Sequence, residues 1–112
     1  MARGGDPTER YVMGQLITIW WRDIPMQVIA REGRRSEKRV LDKRFQFAVD
    51  KAAMNSGKKA FDDYIEEMQR AERPCGDDLV AEADAEVARL EAAYAKDVLH
   101  RLIASGGVGD RL

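Results

Sequence analysis

Thiols and imidazoles are nearly absent: Cys75 is the single cysteine and His100 the single histidine. One thiol excludes an internal disulfide and any multi-thiolate metal site within one chain. One imidazole removes most histidine-based metal and triad arrangements. The nine glycines form neither a G-x-G-x-x-G fingerprint nor a Walker loop, so no glycine-rich phosphate cradle is encoded. No apolar run approaches the roughly 18 residues that span a bilayer. The opening MARGGDPTER lacks the apolar stretch of a signal peptide, so a cytosolic protein without membrane contact is expected. A length of 112 residues allows one ordinary domain.

The residues that remain offer little for catalysis. Cys75 sits in RPCGDD just before an expected helix start, where a thiol pKa can fall, but Asp77 and Asp78 oppose that. His100 stands beside Arg101 in the last turns of an expected helix, where a protonated imidazole favours the negative end. The acids of 62–67 and 77–86 read as solvated faces, and none has calcium-loop spacing. Neither a catalytic residue nor a cofactor is expected.

Charge is plentiful and unevenly placed. Residues 22–59 hold eleven Lys or Arg against five Asp or Glu; residues 60–112 hold six against thirteen. Two readings follow: a basic surface for nucleic acid or an acidic partner, or mutual neutralisation of the two halves, within one molecule or across a dimer. The second is preferred, since mixed-sign charge usually forms solvated faces.

Periodicity supplies the architecture. Residues 1–14 carry three of the glycines and Pro7, and read as a flexible arm. LITIWWR (16–22) and MQVIARE (26–32) alternate with period two around the Asp23-Ile24-Pro25 break, a β-hairpin ended by Gly33. Ile17, Ile19, Trp21, Met26 and Val28 are assigned to the inner face, and Trp20 to the outer. Ser36 is the expected N-cap of a basic helix over 37–55, with Leu41, Phe45, Ala48 and Ala52 in one stripe. A second helix is expected near 58–72, grouping Phe61, Tyr64, Ile65 and Met68. A long third one runs from Asp77 or Asp78 to about Ala104, with a heptad-like seam of Val80, Ala83, Val87, Leu90 and Tyr94. The fold expected is α+β: an N-terminal β-hairpin packed on a helix, followed by two further amphipathic helices. Residues 15–76 form the hairpin-plus-two-helix core, and 77–112 the long helix with a short tail.

The run WRDIPMQVIAR (Trp21 to Arg31), followed by KRVLDKRFQFAVDKAAM (Lys38 to Met54), resembles the small bacterial family named for virulence factors. The resemblance covers roughly residues 17–70. It implies no catalytic residue. It associates the chain with one-carbon and folate gene neighbourhoods, and so implies an accessory subunit.

The residues themselves mark a candidate interaction surface. Arg22 and Asp23 build the hairpin turn and its flanking ion pair. Gln27, Arg31, Arg39 and Arg44 form a polar surface beside it, and Arg34, Arg35 and Lys38 extend the basic patch. An outward Trp20 beside open sheet edges calls for a covering partner, either another protein or a second copy. The expected function is a non-catalytic interaction module or accessory subunit of a larger bacterial assembly. The alternative is a nucleic-acid-binding accessory protein using the basic 31–44 segment.

Overall fold

Residues 14–112 are described by the computed structural model. The arm expected over 1–14 lies outside the described residues, except for Gly14, which opens the first strand. In chain order the elements are β1 (Gly14–Trp21), β2 (Ile24–Glu32), β3 (Arg35–Val40), α1 (Lys43–Asn55), α2 (Phe61–Glu66), β4 (Met68–Cys75), α3 (Leu79–Ala93) and α4 (Lys96–Ala104). The strands make one antiparallel sheet ordered β3-β2-β1-β4. The fold class is α+β.

The hairpin stands where period-two alternation put it, but it is half of a larger sheet. Residues 35–40 are a strand, not the start of the basic helix, and pair with β2 from Glu32↔Arg35 to Gln27↔Val40. Gly33, with φ +60°, takes the first central position of the two-residue turn, where a glycine tolerates positive φ. The helix therefore begins later, and its N-cap is Asp42, not Ser36: the Asp42 carboxylate accepts a hydrogen bond from the Arg44 backbone N–H.

The second expected helix is likewise cut short. Only Phe61–Glu66 is helical, and the following MQRAERPC pairs with β1 from Trp21↔Met68 to Gly14↔Cys75. Backbone pairing across the sheet overrides the helical preference of Met, Gln, Arg, Ala and Glu. Phe61 and Ile65 consequently stay exposed, while Tyr64 and Met68 pack against the core.

The third expected helix is two helices. It breaks at Tyr94, whose buried ring meets Trp20 and Phe45 edge-on at centroid distances of 6.1 and 6.3 Å. α3 lies on the sheet and α4 packs on α1, so the apolar stripe is covered within the chain. Leu79, not Val80, opens the buried side of α3, with Ala83 and Leu90; Val80 is exposed.

The assignment of the hairpin faces is corrected too. Leu16, Thr18 and Trp20 of β1 register with Ala30, Val28 and Pro25 of β2 and are buried on the α3 side. Trp20, assigned to the outside, is 5% exposed. Trp21 is buried as expected; its Nε1 donates to the Tyr64 carbonyl (2.9 Å) and its ring packs on Tyr64. Ile17 is buried, and Ile19 is half-buried. The Leu41, Phe45, Ala48, Ala52 stripe is buried throughout, with Leu41 just ahead of α1.

Candidate functional site

The ten residues singled out in the sequence fall into four places, with strand parity sorting those of β2 and β3. Trp20, Arg22 and Asp23 lie at the β1–β2 turn. Gln27, Arg31 and Lys38 share the sheet face that carries Ile19, Ile29 and Val40. Arg35, Arg39 and Arg44 reach toward α3, and Arg34 sits in the β2–β3 turn. No single surface gathers them.

The turn is tightly held. Arg22 has φ +51°, a left-handed backbone that costs a non-glycine residue about 1–2 kcal/mol. Its neighbours hold it there. Its Nε pairs with Glu67 at 3.2 Å, its Nη1 donates to the Gly106 carbonyl, and its guanidinium stacks 5.3 Å from the Trp21 ring. That ion pair, helped by Lys58, keeps the Glu67 carboxyl below its ordinary range. Asp23 accepts from the Gly109 N–H (2.9 Å) and from Arg111 Nε (3.0 Å). Arg111 also donates to the Arg22 carbonyl and to Gln69, and its guanidinium lies 4.3 Å from the Trp20 ring. Asp23 thus fastens the C-terminal tail; the amides it serves are not those of its own turn.

Sequence reasoning missed Glu67, Gly106, Gly107 and Arg111 as partners of this turn. Gly106-Gly107 offered a signal, but as a helix stop; a lone Arg or Glu far along the chain offers none.

Three of the seven cations in residues 31–44 are answered from within. Arg39 bonds Asp84 (2.9 Å) and Glu37 (3.1 Å), and Arg35 donates to the Asp77 carbonyl. Arg44 donates to the carbonyls of Glu91 and Tyr94. Across the sheet, Glu86 of α3 is buried between Arg89 (2.8 Å) and Arg73 (3.4 Å). The Arg89 hydrogen bonds, then Arg73, hold its carboxyl below the ordinary value near 4.5. A depressed folded-state pKa adds stability above the unfolded value and loses it as pH falls through the folded one. Glu86→Gln should therefore cost about 1–2 kcal/mol near neutrality, discounted because both arginines are half-exposed. The gap between wild type and variant should narrow as pH falls below the ordinary carboxyl value near 4.5, read by urea denaturation at each pH. A constant gap would disprove the linkage.

Burial, with Glu82 nearby, pushes the Cys75 thiol up, the reverse of activation. Among the described residues no group of three or more His, Cys, Asp or Glu is placed to hold a metal ion, and no helix is long and apolar enough to cross a membrane.

The second sheet face differs in kind. Ile19 and Ile29 are half-buried there around a buried Ile17, and Val40 is 72% exposed, with Arg31 and Lys38 exposed beside them. It is an aliphatic patch with Arg31 and Lys38 on its β2–β3 side and the Arg70–Glu72 ion pair (2.8 Å) on its β4 side.

No curated protein and no solved structure matches the sequence significantly. A family model described as "Virulence factor" does match, over residues 19–103. The match begins in β1, includes the turn and the basic helix, and runs through α3 to the end of α4, well past the stretch around WRDIP that first carried the likeness. The chain belongs to the virulence factor family.

Proposed function

We propose that the chain is a non-catalytic interaction module, an accessory subunit that docks an acidic, apolar-anchored protein surface on its second sheet face. The observation that carries this reading is the side-chain content of that face: Ile19, Ile29 and Val40 beside Arg31 and Lys38. Aliphatic side chains beside two cations suit a partner with apolar residues and carboxylates.

A sheet with helices on one side is also a common platform for single-stranded nucleic acid, but such platforms stack bases on aromatic rings. Among the described residues this face carries no aromatic ring at its centre, and both tryptophans are buried. The intramolecular pairing of Arg35, Arg39 and Arg44 removes further cations from the phosphate-binding count. The nucleic-acid alternative is therefore the weaker.

The edges favour face-on docking over strand addition. β3 carries four charged residues in six, and β4 carries Pro74, both devices that discourage further pairing.

The test is co-purification from native lysate with a tagged chain and with the Arg31→Glu/Lys38→Glu/Val40→Asp variant. These positions are exposed, so the unfolding midpoint should move by no more than about 1 kcal/mol. A partner held by wild type and lost at least about tenfold by the variant, a difference of about 1.4 kcal/mol, supports the reading. Equal retention overturns it.

A further inference from the structure

Among the described residues, α2 is fixed to its own molecule through the side that carries Tyr64. Tyr64 supplies the attachment: its carbonyl accepts from Trp21 Nε1, its ring packs on Trp21, and its hydroxyl meets Gln46 Nε2 at 3.3 Å. Phe61 and Ile65, four residues apart, form a stripe on the helix that is 77% and 47% exposed. Asp62 and Glu66, also four apart and exposed, form the adjoining stripe. An exposed Phe and Ile beside two carboxylates make an acidic, aromatic-anchored helix face, and the second sheet face accounts for neither stripe.

On α1 and α4 lies a surface of complementary make-up. A cleft of about 190 Å³ opens between the two helices. Buried Ala48 and Leu99 line it together with Phe47 and Ile103, and Arg44, Lys96 and His100 complete the lining. Phe47 is 59% exposed although it belongs to a helix with a well-buried stripe. Lys51 approaches the Phe47 ring at 5.6 Å and adds a second ammonium group beside the cleft. The cleft is apolar inside and cationic outside; the α2 face is apolar with carboxylates alongside.

We propose that α2 of one copy seats in the α1–α4 cleft of a second copy. Phe61 enters between Phe47 and Ile103, Ile65 covers Leu99, and Asp62 and Glu66 meet Lys96 and Lys51. Helix-in-groove recognition of this kind draws affinity from the apolar anchors and orientation from the charged rim. The two surfaces differ, so the contact is heterologous: each copy offers one helix and one cleft, and association runs head to tail. This contact uses a surface separate from the second sheet face, so it stands or falls independently of the acidic-partner reading.

The experiment is sedimentation velocity with multi-angle light scattering, on the full chain from about 1 µM to about 1 mM, a range spanning weak and strong dimers. Wild type should show concentration-dependent species larger than one chain. Phe61→Asp (broken helix face, intact cleft) and Phe47→Asp (broken cleft, intact helix face) should each run as single chains. Mixed in equal amounts, the two variants should form a 1:1 pair, since each keeps the surface that the other lacks. Lys96→Glu provides a second cleft variant should Phe47→Asp shift the unfolding midpoint. A wild type that stays a single chain throughout, a variant that still self-associates, or a mixture that stays unpaired overturns the proposal.

Discussion

Trp21→Ala should lower the unfolding free energy by about 3–5 kcal/mol, the range for deleting a fully buried large aromatic. The side chain is fully buried, so its loss leaves a cavity that Ala52, Tyr64 and Gly107 must collapse to fill. It also removes the Nε1 hydrogen bond to the Tyr64 carbonyl, which ties α2 to the sheet. Urea denaturation followed by far-ultraviolet circular dichroism measures the loss without relying on the deleted fluorophore. Trp21→Phe refills much of the volume and should recover more than half of it. An unchanged midpoint for the alanine variant would show that the turn end of the sheet is not part of the cooperative core.

The second large effect is expected at a residue with no side chain. Gly107 has φ +92°, and a Cβ there would stand 2.9 Å from Trp21 Cζ3 and 3.2 Å from Cε3. Gly107→Ala therefore meets two penalties at once. The left-handed backbone costs about 1–2 kcal/mol, and forcing a methyl against a packed indole costs about 1–3 kcal/mol more. Gly33→Ala is the matched control: φ is +60° but nothing lies within 4 Å of the added carbon. It should show the backbone cost alone. A Gly107→Ala variant no less stable than Gly33→Ala would mean that the tail does not pack on Trp21. Limited proteolysis after Leu102 provides a second readout, because a displaced tail exposes its backbone to cleavage.

How much of this was legible in the sequence follows from where each signal lives. β1 and β2 alternate strongly enough to be placed within about two residues, the usual boundary error. β3 and β4 are edge strands, and RSEKRV and MQRAERPC carry their charges because edges must discourage further pairing. That composition mimics an exposed helix, so local preference pointed the wrong way and only pairing with β2 and β1 decided the outcome. The break at Tyr94 left a trace in the sequence: Leu99, Leu102 and Ile103 continue the apolar surface out of register with the seam that ends at Tyr94. Tyr94 itself gave no warning, since its ring ends the helix by filling the space between Trp20 and Phe45. The opposed charge of the two halves was visible, and Arg39–Asp84 and Arg22–Glu67 realise part of that neutralisation within one chain. Which basic residues stay unanswered by acids was not visible, because strand parity in β3 separates Lys38 from Arg39 and β3 was not foreseen.

The grip of Asp23 and Arg22 on Gly109 and Arg111 joins residues 86 to 89 positions apart in the chain. Closing so long a loop costs little more in equilibrium entropy than closing a short one, since each doubling adds only about 0.6 kcal/mol. The larger consequence is kinetic, for folding slows as contacts span greater sequence distances. The β1–β2 turn is as local as the turn at Gly33, yet the polar partners of its left-handed Arg22 are Glu67, just ahead of β4, and Gly106 and Arg111 of the tail. It therefore cannot serve as an early nucleus in the way a glycine turn can. The hairpin turn at Gly33 can form alone; the one at Arg22 waits for the far end of the chain to arrive.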